Sequence, residues 1–383
     1  MPEFVEAKTT EQTAERNPFV IWYALAWFLL LLALAFVMRL PLQDTSPEEQ
    51  SRGLNRRSSF DLMSTDPKSY LGMGTYLARI EEGSVIFSDV LGQVQQTYEL
   101  PFREAELVSA GGQLFVRSNQ SASLLMFRPL GESIVFETGS LVENIAASQE
   151  RVLLLHKATD SLGEVNLYEK GQSQALLTLS FNESGYPLDM SFHADGQAFD
   201  ICLLNVNQAQ TRTVVQRYSE RGEKLAEMIL PVSEPLVAIA SFPGDIVALY
   251  NDETLLLLDL AQGELIFEET FSRIENLALS ANNLALLVSE EGKSDLLLLR
   301  EKKEGFMLET LESFDNAEGE LLLANSAESI FLAQDDLIRV YDFGNGGFLA
   351  ESKLSEKALN LIAQDNNTLI VLTADNGYLY SLD

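Results

Sequence analysis

Few side chains in this chain have the types and spacing that chemistry requires. There are two histidines, His156 and His193, and one cysteine, Cys202. General acid–base or nucleophilic work needs a base held within reach of its partner. No HExxH, CxxC, GxSxG or phosphate-loop pattern sets up such a pair. A zinc site of the usual ligand set would need carboxylates to complete it. His156 closes the run Val152-Leu153-Leu154-Leu155-His156-Lys157 and reads as a strand-end residue. His193, in Ser191-Phe192-His193-Ala194-Asp195-Gly196, runs from a strand into an Asp-Gly turn. Cys202, in Ile201-Cys202-Leu203-Leu204, reads as a small buried core residue, and alone it cannot form an internal disulfide. The acidic stretches Asp315-Asn316-Ala317-Glu318-Gly319-Glu320 and Asp335-Asp336 offer oxygen ligands for calcium. Neither has the ligand spacing of a known calcium loop. The sequence therefore nominates no catalytic, metal-binding or cofactor-binding residue. The expectation is a non-enzyme with no cofactor and no small-molecule substrate.

The charge balance points the same way. Asp and Glu number 57 against 26 Lys and Arg, a formal charge of −31 over 383 residues. The excess is spread along the chain. Such a surface repels phosphate backbones, which argues against a nucleic-acid partner, and it favours basic partners.

What could position a binding surface is a repeat. An apolar or aromatic strand end, a few polar residues, a glycine and a second strand recur through the chain. The glycines are Gly92, Gly131, Gly171, Gly222, Gly263, Gly305 and Gly347, 39 to 51 residues apart. Two more short runs precede each pair, as in LVAIAS then DIVALY, giving four strands per unit. A period near forty with four strands predicts an all-β fold, a β-propeller. Inner runs such as Leu255-Leu256-Leu257-Leu258 are apolar on consecutive residues, so both faces must be buried between neighbouring sheets. The last unit, from residue 359 on, has only three strands. Ser59-Phe60-Asp61-Leu62-Met63 is placed to supply the fourth and close the ring. Eight units predict eight blades. Seven would follow if residues 70–100 and the last unit shared one blade.

Ahead of the repeats, residues 19–38 are an uninterrupted uncharged stretch, FVIWYALAWFLLLLALAFVM. Its length matches a helix crossing a hydrocarbon core about 30 Å thick. Trp22, Tyr23 and Trp27 suit the interface at one end. A cleaved signal peptide would need a shorter apolar core. The expected organisation is a tail (1–17), a transmembrane helix (18–40), a polar linker (41–58) and the propeller (59–383). Arg39, Arg52, Arg56 and Arg57 after the span lean toward a cytoplasmic propeller by the positive-inside rule. A short tail and one span before a large domain is instead the layout that exports the domain. The exported arrangement, a single-pass protein of the cell membrane, is the expectation taken here.

The blade ends Leu258-Asp259-Leu260-Ala261-Gln262-Gly263-Glu264 and Tyr341-Asp342-Phe343-Gly344-Asn345-Gly346-Gly347 resemble the quinoprotein-type, WD40-like repeat. In that repeat a strand ends Tyr/Leu-Asp and a glycine turn follows. Gly185-Tyr186-Pro187-Leu188-Asp189-Met190-Ser191-Phe192-His193-Ala194-Asp195-Gly196 resembles a segment of an uncharacterised family of membrane-anchored bacterial propellers. The family's usual Ser-Pro-Asp-Gly turn is here His193-Ala194-Asp195-Gly196. The resemblance covers essentially the whole chain. It implies a short tail, one span and an exported propeller, and it implies no activity. The acidic tail (Glu3, Glu6, Glu11, Glu15) departs from the family's basic one and leaves orientation open.

Three functional readings follow. The first is a binding or scaffold protein of the bacterial cell envelope, with a protein or cell-wall partner. The second is a quinoprotein-like enzyme. That reading needs a tryptophan stacked on a cofactor, yet Trp22 and Trp27 both lie in the apolar stretch. The third is a ligand-sensing membrane protein, for which seventeen residues before the span leave little effector.

Overall fold

A computed structural model describes residues 53–383, except 63–65, 129–130, 194, 207–210, 231–234, 243, 281–282, 304 and 316–319. The expected tail, membrane helix and most of the linker lie outside the described residues. Among the described residues no helix is long and apolar enough to cross a membrane.

Eight four-stranded antiparallel sheets follow one another along the chain. They occupy residues 71–99, 105–137, 142–181, 186–230, 238–270, 273–315 and 321–353 as blades 1 to 7. Residues 360–382 form three strands of blade 8, and Leu54–Asp61 adds the fourth. Innermost strands of successive blades touch, including those of blades 1 and 8, except between blades 5 and 6, where the outermost strands meet and an apolar cluster spans the interface, so the ring is closed. The eight-bladed expectation holds and the seven-bladed alternative falls.

The physical reason is burial on both faces of the middle strands. Leu255, Leu256, Leu257 and Leu258 are each 0% exposed. Alternate residues of that strand face opposite neighbours. Leu255 and Leu257 pack toward blade 6 with Leu284, Leu286 and Phe271. Leu256 and Leu258 pack toward blade 4 with Cys202 and Val215. Eight such apolar clusters form, one at each blade interface. The outermost strands alternate instead, as in Ala175–Phe181, because one face meets water.

The recurring glycine has two jobs. At Gly92, Gly171, Gly222 and Gly263 φ lies between +68° and +94°, which side chains resist. The turn also rests on the preceding blade. A Cβ at Gly222 would lie 2.8 Å from Leu177, and one at Gly92 would lie 2.6 Å from Phe60. In blade 7 the left-handed residue is Gly346 (φ 77°), not the expected Gly347. Its turn, bonded from Asp342 N–H to Gly347 O, is one residue longer than that from Asp89 N–H to Gln93 O.

Ring closure comes from Leu54–Asp61 pairing antiparallel with Asn376–Leu382, from Leu54↔Leu382 to Asp61↔Asn376. The strand begins at Leu54, so residues 54–58 belong to the blade and not to the expected linker. Their sequence, Leu-Asn-Arg-Arg-Ser, looks like linker because nearly every side chain faces solvent. Leu54 alone is fully buried there. Arg56 covers the Tyr378 ring at 5.2 Å, and Arg57 pairs with Asp383. Phe60 is the wedge of the seam. It lies opposite Gly377, where an added Cβ would fall 2.1 Å from its ring, and it also covers Gly92 of blade 1. Asn360 Nδ2 donates to Pro67 O (3.1 Å) and Tyr70 O (3.2 Å), tying blade 8 to the start of blade 1.

This seam predicts the effect of Phe60→Ala in the full chain. About 2 kcal/mol of stability should be lost, the partly buried share of a phenylalanine deletion. A denaturant midpoint equal to the parent's would show that the wedge does not hold the ring.

Candidate functional site

Antiparallel order gives the ring two faces. One carries the passages from each outermost strand to the next blade, together with the turns between second and third strands. It is called here the crossover face. The other, the hairpin face, carries the remaining turns. Innermost strands line the channel between the faces, and their free edges leave backbone groups to be satisfied.

Blades 3 to 6 satisfy them with short polar side chains. Register shifts occur next to Asn144, Asp189 and Asn276 on the innermost strands of blades 3, 4 and 6. Each of these side chains accepts a hydrogen bond from the N–H of the next residue: Ile145 (2.7 Å), Met190 (2.8 Å) and Leu277 (2.7 Å). Asp189 also accepts from Asn144 Nδ2 (2.5 Å) in blade 3 and from Ile239 N–H (2.9 Å) in blade 5. Ser191 Oγ accepts from Ser241 N–H (3.1 Å). One carboxylate thus joins three blades. Burial pushes the Asp189 carboxyl up to about 6, against the pull of the Ile239 and Met190 N–H groups and the Asn144 amide.

A buried ion pair links blades 4 and 5 further out. Arg217 Nε and Nη2 donate to Asp200 at 2.7 and 3.0 Å, and Nη1 reaches Asp245 at 2.6 Å. Ser241 Oγ donates to Asp200 at 2.8 Å. Asp200 is fully enclosed. This pair does structural work, since no open space adjoins its buried end among the described cavities.

The residues with chemical potential in the sequence do not come together. His156 is buried at the end of its strand as expected. Its Nε2 lies 2.6 Å from Asn166 Nδ2 and its Nδ1 2.8 Å from Ser140 Oγ; an amide donating to Nε2 puts the ring proton on Nδ1, facing the serine oxygen. Ser140 in turn donates to the Lys157 carbonyl. A serine activated by histidine needs the opposite polarity, with the hydroxyl donating to the ring. This array therefore holds a loop. His193 bonds the Gly244 carbonyl and lies 3.0 Å from Asp195, so the expected turn residue also bridges blades 4 and 5. Cys202 is fully buried with Sγ donating to Leu236 O (3.3 Å), and burial pushes its thiol up, away from reactive thiolate. Asp335 and Asp336 face Lys357 and Lys353 at 3.2 Å each. Of the other acidic stretch, 316–319 fall outside the described residues. Glu320 pairs with Lys68 at 3.1 Å. Among the described residues no three His, Cys, Asp or Glu side chains gather as for a metal ion.

Two cavities open beside the ring's inner strands. On the crossover face, a groove of about 390 Å³ is bordered by Glu275, Asn276, Glu320, the run Leu321-Leu322-Leu323 and Asn360. On the hairpin face, a hollow of about 800 Å³ lies among Ser148, Arg151, His193 and Glu220. There Arg151 and Glu220 close on each other at 2.6 Å. Sequence reasoning named only His193 and Glu320 of these. A carboxylate inside an apolar strand, as in Phe199-Asp200-Ile201, was the available signal for the buried pair. Nothing in the sequence marks the bulges.

A model for a family of unknown function (DUF5711) matches residues 49–378. No curated relative matches in sequence. Solved structures match in fold. The crystal structure of BamB from Moraxella catarrhalis aligns at TM-score 0.53 and 12% identity, over 86% of this chain and 100% of that one. Sqt1 from Saccharomyces cerevisiae aligns at TM-score 0.57 and 11% identity, over 86% and 99%. The computationally designed Ika8 protein aligns at TM-score 0.54 and 14% identity, over 88% and 98%. At these identities the likeness is one of architecture.

Two outcomes follow from the interblade polar groups. Removing Arg217 strands a buried carboxylate, so Arg217→Met should cost about 3–5 kcal/mol in urea unfolding. Adding Asp200→Asn should recover part of that loss, and no recovery would mean the two groups act separately. Asp189 titrates higher folded (about 6) than in its ordinary state (3.8). The folded protein therefore keeps a proton that the unfolded chain releases. The resulting stability is fully present below pH 3.8 and is lost as pH rises through about 6. It amounts to at most about 3 kcal/mol. Asp189→Asn should flatten this part of the stability–pH curve, and an unchanged slope would reassign it to other carboxylates.

Proposed function

The chain belongs to that family of unknown function, DUF5711, and we propose that it serves as a non-catalytic, membrane-anchored binding scaffold of the bacterial cell envelope. The observation that carries this reading is where its polar groups go. Asp189, Asp200, Arg217, His156 and His193 all bond within or between blades. They rigidify a ring and, among the described residues, none of them is a base aimed at a nucleophile. What remains for function is the pair of loop faces, and rigid loop faces recognise partners.

Anchoring rests on residues 19–38, whose length and apolarity suit one span. The exported orientation is part of this proposal and rests on a single apolar stretch preceding a large domain. Gly53, where the chain enters the ring, lies at the rim, and its carbonyl accepts from Asp383 N–H at 3.0 Å. Partners are expected to be proteins or wall polymers with basic groups, given the acidic surface.

Membrane fractionation tests the anchor. The full chain should stay in the pellet after a carbonate wash, and deletion of residues 19–38 should release it. Protease added to intact cells should degrade the propeller. Release of the full chain by carbonate would sink the anchor, and protection in intact cells would sink the exported orientation.

A further inference from the structure

The eight interfaces between blades are not held alike. Among the described residues, side-chain hydrogen bonds cross seven of them. Tyr98 donates to the Gly131 carbonyl between blades 1 and 2. Gln113 Nε2 donates to Ser148 O (3.0 Å) between blades 2 and 3. Asn144 and Asp189 join blades 3 and 4, and Asp189, Ser191 and Arg217 join blades 4 and 5. Asn325 Nδ2 donates to Leu279 O (3.0 Å) between blades 6 and 7, and Ser329 Oγ to Asn366 O (2.9 Å) between blades 7 and 8. Asn360 ties blade 8 to the start of blade 1. Between blades 5 and 6 the connection is a backbone one. Ile274 N–H donates to Asp252 O (2.5 Å) on the crossover face, where the chain passes from one blade to the next.

The rest of that interface is apolar, with Leu255, Leu257 and Phe271 meeting Leu284, Leu286 and Leu297. Its innermost strands, Ala238–Ser241 and Arg273–Leu279, are the successive pair that does not close along the channel. The outer turn of blade 6 also stands clear of blade 5. A Cβ at Gly305 would meet nothing within 4 Å, whereas one at Gly171, Gly222 or Gly346 would strike the blade before it. Gly263 is open as well, yet its blade is bonded to blade 4 through Asp189, Ser191 and Arg217. On the hairpin face one aromatic pair bridges blades 5 and 6. Phe242 meets Phe306 edge to face, 6.4 Å between ring centres.

We propose that this interface is the joint at which the ring flexes. Blades 5 and 6 part at the hairpin face, pivoting on the passage at residues 271–272, and the channel mouth on that face widens. Apolar contact has no direction, so two apolar faces slide or splay without leaving a polar group unpaired. Parting any other pair of blades strands donors and acceptors that were bonded across it, which costs more than losing the same contact without them. Opening therefore concentrates where no side-chain bond is lost. The Ile274–Asp252 bond on the crossover face fixes the pivot. Phe242 and Phe306, at the opposite face, form the latch. The joint stands whether or not the ring carries a partner.

Thiol labelling of the full chain in detergent micelles reads the joint. Native Cys202, fully buried between blades 4 and 5, is the reference. Ala248→Cys reports on blades 5 and 6, and Ala285→Cys on blades 6 and 7, each in a Cys202→Ala background. Both alanines are 0% exposed, so a thiol at either reacts only when its interface opens. Reaction with dithiobisnitrobenzoate is followed below the urea transition and referred to the rate of each unfolded protein. Position 248 should react at least about tenfold faster than 202 and 285, at a rate nearly independent of urea, because a local opening exposes little surface. Phe306→Ala removes the latch and should speed 248 about tenfold further while leaving 285 unchanged. Should Ala248→Cys not fold, Leu257→Cys on the same face takes its place. Equal rates at the three positions, or faster reaction at 202 or 285, would overturn the joint. So would a rate at 248 that climbs with urea as steeply as global unfolding, or a latch variant that speeds 248 and 285 alike.

Discussion

Every blade depends on its neighbours for a core. The middle strands carry apolar residues on consecutive positions, so no blade can bury both its faces alone. Leu256 and Leu257 illustrate the constraint: adjacent in sequence, they belong to different interfaces with different blades. Burial at about 25 cal/mol per Å² is repaid only when a sheet has a partner on each side. A ring is the arrangement that gives every sheet two partners and leaves none at an end. Closure is therefore a condition of stability for the whole domain. The smallest of the apolar clusters, around Tyr70, Leu77, Ile362, Ile370 and Leu372, sits where blade 8 meets blade 1. Phe60, Leu62 and Leu379 add to it from the closing blade.

Polar groups follow from the same geometry. Innermost strands expose an edge to the channel, and the acidic, asparagine-rich sequence answers with Asn144, Asp189, Ser191 and Asn276. These side chains bond the backbone locally and, at Asp189 and Ser191, tie blades 3 to 5 together along the channel wall. Blade 7 has leucines where those blades have Asn or Asp.

Much of the architecture was legible in the sequence because it repeats. Leu255-Leu256-Leu257-Leu258 announced burial on both faces, and the glycines marked outer turns that the structure places as expected at Gly92, Gly171, Gly222 and Gly263. The shortfall of one strand in the last unit pointed to Phe60 and its neighbours as the closing strand. The linker boundary was misread because Asn55, Arg56 and Arg57 face solvent on an outermost strand and carry no apolar alternation. Blade 7's turn was displaced by one residue because Gly346 and Gly347 are indistinguishable without the hydrogen bonds of Asp342. The channel-wall contacts were illegible for a different reason. Asp189 is singled out by groups contributed from blades 3 and 5, far away along the chain, and no local pattern records such a meeting.

The pairing of Leu54 with Leu382 has a consequence for biogenesis. The first of the described strands is completed by the last of them. Throughout translation the early segment has no mate, and seven blades can assemble while the eighth still waits. Such a chain has slow, non-local assembly built in. During that interval the two ends of the growing arc present apolar sheet faces without a neighbour while the early strand lacks its mate, the condition in which nascent β-proteins mispair with one another. The charged Arg56 and Arg57 on the waiting strand act as gatekeepers against that outcome.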